Sequence, residues 1–430
     1  MTDDIISRIV TENRRGRAAG ICSVCSAHPW VLEATLAQTL AAGGPALIES
    51  TSNQVNQFGG YTGMTPARFA GDVRRLAERM GFPEGRLLLG GDHLGPYPWR
   101  KQAASEAMGH ARAMVRDYVL AGYVKIHLDA SMPCADDASP VLDPAVAAWR
   151  AAELCRAAED AWRELPASSP APVYVIGTEV PVPGGEQLES GAPAVTKPED
   201  AKATVEMHRE AFAALGLDGA FERVIGLVVQ PGVEFGSAIV FGYDRGRAAV
   251  LSAQLPDRPE LVYEAHSTDY QTAEALREMV EDHFAILKVG PWLTFAMREA
   301  IFALSMVEQE WLSGGVRLSR VREALEEAML KNPAHWKDYY QGSEDELRLA
   351  RKYSYSDRCR YYWPDPAVQA EVDTLVRNLT QHPPPLTLIS QFLPAQYDAV
   401  RNGTLSHDSA SLIKDRIREV LRLYASACGE

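Results

Sequence analysis

Eight short runs rich in Val, Ile and Leu, each closing on a polar cluster, constrain this chain more than any other feature. They are GICSVCSAH at 20–28, ALIESTSN at 46–53, LLLGGDHLG at 87–95 and VKIHLDAS at 124–131, then VYVIGTEVP at 173–181, RVIGLVVQP at 223–231, LVYEAHST at 261–268 and FAILKVGP at 284–291. Amphipathic stretches long enough for a helix separate them, the alternation expected of parallel βα units. Eight such units close an α/β barrel of the (β/α)8 or TIM type. The rival is an open doubly wound sheet, but no G-x-G-x-x-G fingerprint follows the first strand, which weighs against a nucleotide-binding Rossmann domain.

The segments between the runs carry helix signals. TPARFAGDVRRLAERMGF predicts a helix with Thr65 as N-cap and Pro66 at its first position, stopped at Gly-Phe-Pro. SASLIKDRIREVLRLYASACGE predicts a terminal helix, and ELPASSPAP reads as a loop ahead of the fifth strand. Strand runs stop after about residue 312. The expected division is therefore a barrel over 1–312 and a mostly helical extension over 313–430 packed on it, interrupted by KYSYSDRCRYYWPDP at 352–366.

With 430 residues, 46% of them apolar, the chain can bury a large core. Its net charge of −14 argues against nucleic acid as a partner, whereas a few local cations suffice for a small anion. Six scattered cysteines fit a reducing, cytoplasmic setting, and the pair Cys22 and Cys25, inside a predicted strand, reads as packing. The N-terminus lacks a signal-peptide run and no apolar stretch of roughly 18 residues occurs, so no membrane role is expected.

Barrel active sites gather where strands end, and here nearly every end is polar. The candidates are His28, Glu49, Asn53 and Gln54 from the first two strands, Asp92 and His93 from the third, and Lys125, His127 and Asp129 from the fourth. Glu179, Gln230 with Glu234, then Glu264, His266 and Asp269, and finally Lys288 follow. Imidazoles and carboxylates converging from several strands are donors for a divalent metal such as Zn²⁺ or Mn²⁺, with His93 and His266 leading and Glu179 next. Strand alternation puts Lys125, His127 and Asp129 on one side, so one of them can be a structural ion pair. In GGDHLGP, glycines flank an Asp placed as a base beside His93; the plainer reading is a helix-capping Asp. A phosphate has two candidate seats, Lys288 after strand eight and the pair Arg358 and Arg360 among aromatics.

The runs SVCSAHP, IESTSNQVNQFGGYTGMTP, LGGDHLGP, KIHLDASM and YSYSDRCRYYWP resemble the GatZ/KbaZ family, the second subunit type of class II D-tagatose-1,6-bisphosphate aldolase. The resemblance covers nearly the whole chain and implies a TIM barrel. It implies two functions. One is a non-catalytic partner that stabilises a GatY/KbaY aldolase subunit; the other is a 4-epimerase interconverting D-tagatose 6-phosphate and D-fructose 6-phosphate. A tagatose 6-phosphate kinase is discounted, because the chain has no G-x-x-x-x-G-K-[ST] loop. Carbon 4 of a 2-ketohexose is not adjacent to the carbonyl, so its inversion needs either transient oxidation, for which no nicotinamide fingerprint is found, or retro-aldol cleavage between carbons 3 and 4, with a divalent metal (Zn²⁺, Mn²⁺ or Mg²⁺) on the ketone and a base at the 4-hydroxyl. LGGDHLG and VYEAHST are similar to strand ends of class II aldolases. That likeness implies Asp92 as base and His93 and His266 as metal ligands, with Glu179 or Glu49 completing the set. Glu49, Lys125 and Asp129 join Asp92 as candidate catalytic groups, and His28, Asn53, Gln54, Gln230, Ser267, Lys288, Arg358 and Arg360 as candidate substrate contacts. Assembly with an aldolase subunit or as a homo-oligomer is left open.

Overall fold

The computed structural model describes residues 5–178, 193–312 and 314–430. All eight runs form parallel strands of one closed barrel: β1 (Ile21–Cys25), β2 (Ala46–Thr51), β3 (Leu87–Leu94), β4 (Lys125–Leu128), β5 (Val173–Ile176), β6 (Val224–Val229), β7 (Val262–Ala265) and β8 (Phe284–Val289). The barrel closes where Ile21 and Ser23 of β1 lie opposite Ile286 and Lys288 of β8. Strands covered on both faces need no polar alternation, and all six residues of β6, VIGLVV, are buried. Helices Pro29–Ala42, Pro66–Arg79, Pro144–Glu164 and Pro198–Ala214 each begin with proline, where the missing N–H costs nothing. Thr65 caps the second of these by accepting from the N–H of Arg68, as its sequence predicts.

Two helices fix which end of the barrel can work. Ile5–Arg14 lays Ile6 and Val10 against Ile21, Leu47, Val173, Val262 and Ala285, so the N-terminal strand ends are sealed by an apolar plug. Asn13 locks the plug in place by donating to the carbonyls of Val280 (2.8 Å) and Ala19 (2.9 Å). The terminal helix Ser409–Ala427 packs against both Pro29–Ala42 and Ala273–Glu281, the helices that flank the seam between β1 and β8. It buries Leu412, Ile413, Ile417, Val420, Leu421 and Tyr424 there and thus serves as the eighth helix of the ring. Lys414–Glu33 (3.1 Å) and Arg416–Glu299 (2.6 Å) tie its polar side down. Helix Pro291–Trp311, which directly follows β8, packs along it and carries the helices Val321–Lys331, Pro366–Gln381 and Leu386–Phe392. Among the described residues no helix is long and apolar enough to cross a membrane.

Candidate active site at the barrel mouth

Above the apolar floor the inward positions turn ionic. Glu49 of β2, Gly90 of β3 and Lys125 of β4 share one register. A side chain at position 90 would lie 2.6 Å from the Glu49 carboxylate, so glycine there lets acid and ammonium meet across β3. Lys125 Nζ lies 2.7 Å from Glu49 and 2.7 Å from Glu264, all three fully buried. Lys288 Nζ pairs with Glu49 and, at 2.9 Å, with Asp92. Burial alone would raise Glu49, but the two ammonium groups hold it below the ordinary carboxylate range. Burial and the same cations act likewise on Glu264, with His266 contributing.

The ladder between β3 and β4 slips between Gly91 and Leu94, and His93 adopts φ of +48°. Side chains of consecutive strand residues normally point apart. This bulge instead turns Asp92 and His93 into the same cavity. Gly95 is required just beyond it, because a Cβ would come 1.5 Å from the Asp129 carbonyl oxygen. Ser267, which lines the same cavity, is also held in the left-handed region (φ +54°), local strain of the kind found at functional sites.

Three imidazoles meet here, each gripped by a carboxylate. His93 Nδ1 bonds Asp129 at 2.7 Å, His127 Nδ1 bonds Asp92 at 2.9 Å and His266 Nε2 bonds Glu264 at 3.0 Å. An ionised carboxylate only accepts, so His93 Nδ1 and His266 Nε2 carry protons; His127 Nδ1 lies between the Asp92 carboxylate and the backbone N–H of His93, which donates to it at 3.2 Å. His127 Nε2 is buried without a hydrogen-bond partner. Ring centroids are 5.3 Å apart for His93 and His127, 5.0 Å for His93 and His266, and 5.3 Å for His127 and His266. Three imidazoles on one tetrahedral metal, with metal–nitrogen bonds of about 2.0–2.1 Å, place their rings about 5 Å apart. Carboxylates behind metal-binding histidines are the usual means of fixing tautomer and ring orientation. The donor atoms that lie within 4.8 Å of one another are those of Asp92, His127, Glu264 and His266, a set that leaves out His93. Glu49, Asp92, Asp129 and Glu264 against Lys125 and Lys288 leave two negative charges in this buried group, the complement of a divalent cation. The residues therefore fit a metal. Burial depresses His266 to about 4, which keeps it a neutral donor at pH 7. His93 moves the other way: burial would lower it, but Asp92 and Asp129 hold it raised.

The expected site residues divide into groups. Asn53, Gln54, Asp92, His93, His266, Ser267, Lys288 and Arg360 line one cavity of about 90 Å³. Glu49 and Lys125 lie beneath it, and Asp129 stands behind His93. Gln54 is spent on the loop, accepting from the N–H of Thr51 and donating to the Cys25 carbonyl. His28 caps helix Pro29–Ala42 and lines a neighbouring cavity. Gln230 stays at its own turn, accepting from the N–H of Gly232. Arg358 is turned toward the His335 carbonyl. Glu179 lies outside the described residues. Asp92 caps no helix; it is a strand residue with Oδ1 held by His127 and Lys288. Cys22 packs in the core as expected, while Cys25 lines the mouth, its Sγ 3.7 Å from both Glu49 and Asp92. His127 and Glu264 were not singled out as metal donors from sequence, although their i, i+2 spacing to Asp129 and His266 was the available signal.

Comparison with known proteins places the chain in a family. The chain matches the family model described as D-tagatose-1,6-bisphosphate aldolase subunit GatZ/KbaZ-like over residues 6–429. It is 51% identical over 420 residues to the D-tagatose-1,6-bisphosphate aldolase subunit GatZ of Klebsiella pneumoniae, covering 98% of each chain. The protein of the same name from Salmonella enteritidis is 51% identical over 428 residues, 98% of this chain and 99% of that one. A crystal structure described as a probable tagatose 6-phosphate kinase from Sinorhizobium meliloti superposes with a TM-score of 0.87 at 49% identity, covering 95% of this chain and all of that one. An eight-stranded barrel with this mouth, matched along its length by that family and half-identical to its curated members, belongs to the GatZ/KbaZ-like family.

Proposed function

We propose that the chain serves ketohexose phosphate metabolism as a tagatose-bisphosphate aldolase subunit of the GatZ type, and that its own barrel is catalytic. The proposed reaction is the interconversion of D-tagatose 6-phosphate and D-fructose 6-phosphate by retro-aldol and aldol steps. The observation that carries it is the triangle of carboxylate-backed imidazoles beside Asp92, an expensive buried arrangement that scaffolding alone does not need. His127 and His266, with His93 beside them, would hold the metal; imidazole donors favour Zn²⁺ over Mn²⁺ or Mg²⁺. A metal bound there supplies Lewis-acid polarisation of the substrate ketone.

Asp92 would act as the base. Its Oδ1 is engaged by His127 and Lys288, leaving Oδ2 toward the cavity, 3.7 Å from His93 Nε2. That carboxylate takes the proton of the 4-hydroxyl, the carbon 3–carbon 4 bond breaks, and its electron pair stays on the three-carbon enediolate fragment. The aldehyde fragment turns its other face, the bond re-forms, and Asp92 returns the proton to oxygen 4. No oxidant is consumed and atoms balance. Against burial, His93 and then Lys288 hold Asp92 well below the ordinary carboxylate range, so it is ionised between turnovers.

The names of the curated relatives favour a second reading, in which the chain binds and stabilises a separate catalytic aldolase subunit. Purified protein, alone, is incubated with tagatose 6-phosphate and Zn²⁺, Mn²⁺ or Mg²⁺ and assayed for fructose 6-phosphate. Product under one condition supports catalysis. No product under any, together with a longer half-life of a co-purified aldolase subunit, establishes the second reading instead.

A further inference from the structure

A sugar phosphate needs a seat for its dianion, and one part of the usual one in a barrel is filled here. That seat combines the loops after the seventh and eighth strands with a helix N-terminus, and the helix after β8 offers no free end. In this chain Asp269 Oδ1 accepts from the N–H of Gly290 (3.1 Å) and of Trp292 (2.8 Å). Pro291 has no N–H, and that of Leu293 bonds the Gly290 carbonyl. These donors of the helix N-terminus are taken by a carboxylate or a carbonyl, and the buried Asp269 would repel an anion there. Lys288 is committed to Glu49 and Asp92. Arg358 lies over the Tyr339 ring at 3.0 Å and lines a different groove.

Arg360 is placed differently. It stands at the neck between the 90 Å³ mouth and a cavity of about 360 Å³ beside helices Pro29–Ala42 and Pro66–Arg79; Cys25, Gln54, Tyr61 and Gly290 border both spaces with it. Its Nη1 bonds the carbonyls of Ser356 and Asp357, and its Nη2 the hydroxyl of Tyr361. Nε and a second Nη2 hydrogen remain, the fork that matches two phosphate oxygens. The segment bearing it is pinned: Thr294 donates to Asp357 at 2.6 Å, Tyr270 to the Tyr355 carbonyl at 2.6 Å, and the N–H of Tyr355 to the Ser237 carbonyl at 3.0 Å. The mouth by itself is small beside the roughly 300–1,000 Å³ of ordinary ligand sites, whereas mouth and side cavity together reach that range.

We propose that Arg360 anchors the substrate's phosphate at this neck, with the side cavity receiving the phosphorylated end. The inference rests on the ketohexose phosphate reading and adds to it: a cleaved aldehyde tethered by its phosphate can turn its face without leaving. The test is calorimetric binding, independent of turnover, of D-tagatose 6-phosphate, D-tagatose and inorganic phosphate to the full chain and to Arg360→Met and Arg360→Lys. Wild type is expected to prefer the phosphorylated sugar by on the order of 10²-fold, from two charge-assisted bonds, and to bind inorganic phosphate in competition with it. Arg360→Met should reduce the preference to a few-fold while leaving the affinity for D-tagatose unchanged, which also reports an intact fold. Arg360→Lys keeps the charge and loses the fork, so its preference should fall between the two. Should Arg360→Met not fold, a lysine variant with the full wild-type preference overturns the proposal. So does a wild type without preference, or a methionine variant that retains it. Absence of turnover with the preference intact would remove the epimerase reading and leave the anchor standing.

Discussion

Lys125→Met isolates the charge layer beneath the mouth. The ammonium is wholly buried, 2.7 Å from each of two wholly buried carboxylates, and methionine replaces most of its stem, so little of the effect comes from lost volume. Removing one partner of a buried ion pair costs about 3–5 kcal/mol, because the other charge is left uncompensated. Two pairs break, but Glu49 keeps Lys288 and Glu264 keeps His266, so the expected loss is about 5 kcal/mol and not double that. Total stability of a domain is only about 5–15 kcal/mol. Urea unfolding followed by tryptophan fluorescence should show it: with a slope of at least ~3 kcal/mol/M for a chain this long, the midpoint falls by up to about 1.7 M. Adding Glu264→Gln should recover about half of the loss, since one of the stranded charges is gone. A single variant within about 1 kcal/mol of wild type would refute the reasoning. A variant equally stable but inactive would return Lys125 to the chemistry, as its position at a strand end first suggested.

His127→Ala should abolish bound metal by elemental analysis and remove the rise in melting temperature on adding Zn²⁺, a rise worth about 4 kcal/mol at a thousandfold excess over Kd; retained metal would exclude His127 as a ligand. Burial holds His208 at about 4, against an ordinary 6.5, so the unfolded chain binds its proton first. Its contribution is complete above about pH 6.5 and fades as pH falls toward 4, about 3 kcal/mol in all. His208→Leu should flatten the acid limb of stability by that amount, and an unchanged limb would count against it. Ending the chain at Asp408 exposes the groove that Leu412, Ile413, Ile417, Val420, Leu421 and Tyr424 fill. At about 2 kcal/mol per side chain the loss is on the order of 12 kcal/mol, enough to unfold the barrel. A soluble, cooperatively melting truncated protein would contradict the terminal helix's place in the ring.

Local pattern and global packing contributed different parts of this site. All eight strands were legible because each is a short apolar run bounded by polar residues, a signal carried within a few positions. The common inward face of Lys125, His127 and Asp129 followed from the two-residue period of a strand, and so did the possibility, realised by Lys125, that one of them is an ion pair. That period misleads at Asp92 and His93, where only a bulge set by pairing with β4 brings both side chains into one cavity. Nor does any local pattern show that helix 409–427 closes the ring beside β1, because that depends on a contact between the two ends of the chain. Arg358 and Arg360, two residues apart in one aromatic motif, read as equivalent in sequence; the short helical turn Arg358–Tyr362 sends one toward His335 and the other to the neck of the substrate cavities. By itself, then, the sequence determined the barrel and the pool of ionisable groups at its mouth, since these depend on residue type and short spacing. Which imidazoles converge, which carboxylate backs each, and that Asp269 already fills the helix N-terminus after β8 were decided only by the tertiary structure, because they are distances between groups brought together from different strands.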